Sequence, residues 1–159
     1  GKSTMKRLRA SFPYIFESGH ASTVPQIEPI QVDGPFPVIG LQATPLEVEH
    51  GPRAHSTAFL FEERRKTTTR RFAYVVDVSR IPEEVLKAIA QVDLLVVDAL
   101  RHEPHPTHFT VADALAAIAA VRPKRALLTH ISHAIDHVTL EGELPPGVQP
   151  AYDGLVQMV

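Results

Sequence analysis

The chain has no cysteine. That excludes a disulfide framework and any thiolate metal site, so a transition metal here must be held by His, Asp or Glu. An excess of one charge is also lacking. Sixteen Lys+Arg stand against 18 Asp+Glu, for a formal net charge of −2. This balance argues against a strongly basic nucleic-acid binder, and a hydrophobic content of 44% argues against a disordered chain. No apolar run approaches the roughly 20 residues that cross a bilayer. No apolar stretch of a secretory signal follows Gly1-Lys2-Ser3-Thr4. These absences predict a cytoplasmic protein without a membrane partner. Gly1-Lys2-Ser3-Thr4 matches the end of a phosphate-binding loop, but the earlier glycine and the preceding strand that such a loop requires are missing.

What is present is histidine. Eight of the nine histidines fall between His50 and His137. The length of 159 residues fits one domain over 1–159, enough to bury about two-thirds of the surface of the unfolded chain. Met5, Leu8 and Phe12 at helical spacing predict a short N-terminal helix. Four prolines from Gly19 to Pro37 predict an irregular crossing with short extended pieces such as Ile30–Val32. Strands are expected over Val38–Ala43, Leu46–Glu49, Thr57–Glu62 and Phe72–Val76, with the charged run Arg64–Arg71 as a solvated hairpin tip. Beyond Pro82, strands and helices alternate. A helix follows Pro82, Asp93–Val97 is a buried strand, and a helix capped by Thr110 follows. Arg125–Thr129 is the next strand, Val138–Leu144 a short helix, and Val148–Val159 a final strand with a turn at Asp153-Gly154. Meandering strands leading into βαβαβ predict a layered α/β domain with a mixed sheet.

Four residues stand where apolar strands end: His50, Asp77, Asp98 and His130. Strand ends converge at one sheet edge, where α/β folds usually place their sites. Imidazole and carboxylate suit divalent zinc, manganese or iron. Singly, each residue has an ordinary reading as a hydrogen-bonded strand end or turn; their recurrence at one kind of position is what points to a site. A second histidine group, His102, His105 and His108, sits in a loop stiffened by Pro104 and Pro106. Histidine there can act as a general acid or hydrogen-bond a phosphoryl oxygen. His108 also precedes a helix N-terminus, which favours anions.

Six blocks in order carry a family resemblance: Phe12–Phe16, Val48–Gly51, Tyr74–Ser79, His105–Phe109, Leu128–His133 and Ala151–Gly154. They resemble metallo-β-lactamase-fold hydrolases, most closely the phosphoribosyl 1,2-cyclic phosphate phosphodiesterases of phosphonate breakdown. The resemblance implies an αββα sandwich with two divalent metal ions, zinc or manganese. It makes His50, Asp77 and His130 metal ligands, with Asp77 bridging the two ions. It makes His108 the residue that binds the substrate phosphate and protonates the leaving oxygen, after in-line attack by a metal-bridging hydroxide. His133 and His137 become supporting positions near the centre, and Asp98 a structural one.

The family's H-x-H-x-D-H motif is absent; the only histidine before His50 is His20. The chain is therefore expected to be the C-terminal portion of a longer hydrolase, its sandwich incomplete and its metal site partial. As it stands it is expected to be inactive, with exposed sheet edge and apolar surface favouring association, for example as a homodimer. The expected substrate is a small phosphorylated molecule, either a cyclic phosphate or a nucleotide-like phosphodiester. Two alternatives are an RNA-directed phosphodiesterase of the same superfamily and a non-catalytic half-domain that binds a nucleotide or a partner. The weak net charge disfavours nucleic acid.

Overall fold

The computed structural model of the protein describes residues 2–17, 23–25 and 27–159. They divide into two compact units, Gly1–Pro35 and Phe36–Val159. In the first unit, helix α1 spans Lys2–Ser11 and a single 3-10 turn covers Pro13–Ile15. The helix stops because Pro13 disfavours helical geometry in the residue before it. Phe12 packs edge-on to Tyr14, with ring centroids 6.4 Å apart, and the Arg9 guanidinium lies 4.6 Å over the Phe16 ring. Ile30–Val32 forms no strand. Gln31 turns its amide onto the Asp33 carboxylate, and Ile30 stays exposed. The expected irregular crossing lies partly outside the described residues.

The second unit holds a seven-stranded mixed sheet in sequential order. Its strands are β1 (Phe36–Val38), β2 (Leu41–Glu49), β3 (His55–Arg64), β4 (Thr69–Val75), β5 (Leu94–Asp98), β6 (Arg125–Thr129) and β7 (Val148–Pro150). The first four strands form an antiparallel meander, and β4 through β7 are parallel. Helices α2 (Glu83–Ala88) and α3 (Val111–Val121) connect the parallel strands, and α4 (His137–Glu143) precedes β7.

The expected strand Val38–Ala43 is instead a hairpin. Ile39 and Gly40, at φ 47° and 80°, form its two-residue turn, and Val38 pairs with Leu41. Two successive positive φ values match the right-handed twist of the flanking strands. Ile39 hides that turn in the sequence because a β-branched residue rarely adopts positive φ. Strand β2 then runs unbroken through Pro45. Proline is tolerated there because β1 pairs only as far as Ala43, so the missing N–H falls where the edge is already open. At the other end, Val148–Val159 contributes only the short β7, and Gly154 turns at φ 86°.

Strand periodicity sorts the two faces of the sheet. Ala58, Leu60, Ala73, Val75, Leu95, Val97, Ala126 and Leu128 line one face. They join Val85, Ile89, Val111, Ala114, Ala117 and Val121 from α2, α3 and the segment after α2, and Leu140 from α4, in one buried core. Each fully buried aliphatic side chain there contributes about 1.5–3 kcal/mol relative to exposure. The opposite face carries a row of phenylalanines. Phe36, Phe59, Phe61 and Phe72 meet in sequence, the last pair stacked at 4.5 Å. Helix α3 starts with a complete capping box: Asp113 N–H donates to Thr110 Oγ1 while Thr110 N–H donates to the Asp113 carboxylate.

Candidate metal centre

Two antiparallel steps separate β2 from β4, so β2 runs in the same direction as the parallel strands β4, β5 and β6. The residues that follow or end these four strands—His50, Asp77, Asp98 and His130—therefore sit along one edge. Two of them, Asp77 at φ 54° and His130 at φ 60°, adopt left-handed backbone. Such conformations cluster at functional sites and persist only where neighbours over-determine them. Around Asp77 those neighbours are visible. Ser56 Oγ donates to the Asp77 carbonyl at 2.7 Å, Ser79 N–H to Glu49 O at 2.7 Å, and Gly51 N–H to Ser79 Oγ at 2.8 Å.

His108 arrives from a loop closed at its base. Leu100 N–H donates to Phe109 O and Val111 N–H to Arg101 O, so residues between them must project. Arg101 ties the loop internally by donating to the carbonyls of Glu103 and Pro104. The loop presses against the end of β2. A Cβ placed on Gly51, at φ 84°, would lie 2.8 Å from Thr107 Cγ2. Only glycine satisfies both that backbone angle and that approach. The contact lets the Thr107 carbonyl accept from His50 Nδ1 at 2.8 Å.

The side chains converge. Donor atoms of His50, Asp77 and His108 all lie within 4.8 Å of one another. His130 Nε2 is 3.6 Å from Asp77 Oδ1, and His108 Nδ1 is 3.9 Å from it. The His108 ring stands 4.7 Å from His50 on one side and 4.7 Å from His130 on the other. The four residues His50, Asp77, His108 and His130 thus form one group. The resemblance gives His108 a substrate-binding role rather than a ligand's. His108 stands among the potential donors.

The group fits a divalent transition ion. One carboxylate faced by imidazoles is a donor set that such ions take. His50 donates its Nδ1–H to a carbonyl, which leaves Nε2 with the lone pair a metal requires. The Asp77 carboxylate is half exposed, and its ion-pair neighbours among the described residues are His108 and His130.

His133 is exposed, and the His137 ring packs edge-on against Tyr152 at 6.1 Å with its Nε2 buried and unpartnered. Among the described residues neither bonds to the central four. His105 Nδ1 accepts from the Thr107 N–H, and its ring lies 5.1 Å from that of His108. Desolvation, with Arg101 and His108 adding to it, holds His105 below the ordinary histidine range. The start of α3 is not a free anion seat, because its own capping box fills it and brings in the Asp113 carboxylate.

Asp98 is fully buried and its Oδ2 lies 2.8 Å from His108 Nδ1. Its place at a strand end was a signal, the same one that marked Asp77.

A mixed sheet with helices on one face and a histidine–carboxylate group along one edge defines a metallo-β-lactamase-type chain. It belongs to the β-lactamase superfamily domain family, whose pattern matches residues 2–131. Among solved structures, a diphosphatase of the PhnP family shares 31% identity at a TM-score of 0.79, covering 96% of this chain and 53% of that one. The metallo-β-lactamase fold protein YhfI from Bacillus subtilis shares 19% identity at a TM-score of 0.65, covering 92% of this chain and 59% of that one. A Porphyromonas gingivalis (strain ATCC BAA-308 / W83) protein described as an octanoyltransferase is 27% identical over 99% of this chain, but over only 31% of its own length. The chain thus spans between 31% and 59% of the length of these three relatives. No helix among the described residues is long and apolar enough to cross a membrane.

Proposed function

We propose that the protein containing this chain is a metal-dependent phosphodiesterase acting on a small cyclic phosphate or nucleotide-like phosphodiester. The observation that supports it is the approach of His50, Asp77 and His108 donor atoms within 4.8 Å, with His130 beside Asp77. In this reading His50, Asp77 and His130 would hold divalent ions, zinc or manganese. When bound, such ions polarise a phosphoryl oxygen and make a nucleophilic water available at neutral pH.

The chain's own residues do the rest. His108 has its Nδ1 engaged by Asp98, so Nε2 is the nitrogen it offers the substrate. With both nitrogens protonated, its Nε2–H donates to a phosphoryl oxygen and then passes to the leaving oxygen, and Nε2 regains a proton released by the attacking water. Water supplies the new P–O bond, the ester P–O bond breaks, and the leaving oxygen departs protonated. The closed loop beneath His108 and the Gly51 contact hold it against His50 while this happens.

A second reading has one specific support. The PhnP-family relative is described as a diphosphatase, and breaking a diphosphate is also water attack at phosphorus. The same residues serve it, with a phosphate in place of the alkoxide as leaving group.

Asp77→Ala tests the proposal. The full-length protein that contains this chain, supplied with zinc or manganese, is expected to retain metal by mass spectrometry and to hydrolyse bis(p-nitrophenyl) phosphate. The variant is expected to lose both. Undiminished hydrolysis by Asp77→Ala overturns the reading, and a nucleoside diphosphate cleaved faster than any diester favours the second one.

A further inference from the structure

Asp98 is a carboxyl group in a place that punishes charge. It ends β5 with no solvent exposure, and an ionised carboxylate so buried must be partnered to persist. Its partners are few and one-sided. Oδ2 accepts from His108 Nδ1 at 2.8 Å and from the Val78 N–H at 3.1 Å, while Oδ1 is buried and has no partner. A carboxylate kept for packing alone would be served as well by an apolar residue of its size. The arrangement makes sense if the two bonds on Oδ2 have a use.

Each bond constrains one side of the candidate centre. A carboxylate only accepts, so the His108 nitrogen facing it must be the protonated one. Nδ1–H is thereby fixed, and any proton that His108 exchanges moves through Nε2. The second bond grips the peptide that follows Asp77, the residue held in left-handed backbone at φ 54°. One oxygen thus ties the projecting loop that bears His108 to the strained turn that bears Asp77. The two side chains meet at 3.9 Å.

We propose that Asp98 is a positioning residue: it sets the tautomer of His108 and the separation between His108 and Asp77. It touches neither substrate nor ion and acts through its two neighbours. The consequence for turnover rests on the phosphorus-hydrolase reading above; the consequence for the ring does not.

The test reads the ring directly. Nitrogen-15 chemical shifts of the His108 imidazole are measured in the zinc-supplied full-length protein, as wild type, Asp98→Ala and Asp98→Asn. Turnover of bis(p-nitrophenyl) phosphate and zinc content are followed in parallel. Wild type is expected to show Nδ1–H. Asp98→Ala is expected to lose that signature and to drop kcat by about 100-fold or more, the range for displaced acid–base groups. KM should stay within about twofold and zinc content should hold. An Asp98→Ala protein with an unchanged His108 signature and rate overturns the proposal. Should that variant fail to fold, Asp98→Asn decides. Its amide can present oxygen or nitrogen to His108, and the proposal requires kcat to follow whichever proton position the spectrum shows. Nδ1–H retained with kcat lost, or lost with kcat retained, overturns it. If the wild type hydrolyses nothing, the functional reading falls, and the ring signature in the variants still decides for or against Asp98.

Discussion

The same strands have two ends, and the ends are built differently. At the far end, charged groups are matched with each other. Lys124 Nζ sits 2.6 Å from Asp93, Asp93 also accepts from the Arg71 N–H, and Arg71 reaches Glu62 and the Ala90 carbonyl. At the other end, Asp77 faces histidines rather than a lysine or arginine, and Asp98 leaves one oxygen unpartnered. The far end is electrostatically closed. The near end is held in position by backbone and hydroxyl contacts and leaves its carboxylate and imidazoles open to a ligand.

Substitutions at the two ends should therefore fail in different ways. The largest effect is expected from His108→Ala, a rate loss of about 10²–10⁴-fold on a phosphodiester with metal content intact. Because His108 lies within the donor group, loss of metal by mass spectrometry would instead make it a ligand. Gly51→Ala comes next. Its Cβ must displace Thr107, and non-glycine left-handed backbone costs about 1–2 kcal/mol. Since the Thr107 carbonyl orients His50, metal affinity should fall about 10–100-fold. A metal titration with thermal unfolding measures both, and unchanged affinity would detach the loop contact from the site.

The smallest effect belongs to the far end. The Lys124 hydrogen bond and then the Arg71 N–H hold Asp93 below its ordinary value. A depressed folded pKa adds stability that is present above the unfolded carboxylate pKa and is lost as pH falls through the folded one. Asp93→Asn should flatten the acid limb of stability against pH by about 0.2–1 kcal/mol, as for an exposed pair, with no change in metal binding. Denaturant melts from pH 7 down to below the ordinary carboxylate range check this. Altered metal binding would show that the two ends are not independent.

The legible parts of the molecule were those with a local signal. The apolar runs leading to Asp98 and His130 announced parallel strands, and Thr110 with Asp113 announced α3. His50, Asp77 and His130 were found because strand ends on one edge must lie near one another. The turn at Ile39-Gly40 escaped because isoleucine masks it. Strand β2 was split because Pro45 ordinarily ends a strand, and its acceptability depends on how far β1 extends. The strand end marks Asp98, but its partnership with His108 depends on a loop whose closure is a tertiary matter. The helix-start anion seat failed for a local reason: Asp113 that completes the cap also places a negative charge there.

The candidate donors come from positions spread over half of the sequence, His50 after β2, Asp77 after β4 and His130 after β6. No fragment of the sheet holds them together, so a cation that engages all three recognises only chains in which every intervening strand has found its register. Binding to the native state alone adds to the folding free energy, by about 2.7 kcal/mol when free ion stands at 100 times its dissociation constant. The centre would then act as a removable cross-link, and a chelator would report on the integrity of the whole sheet.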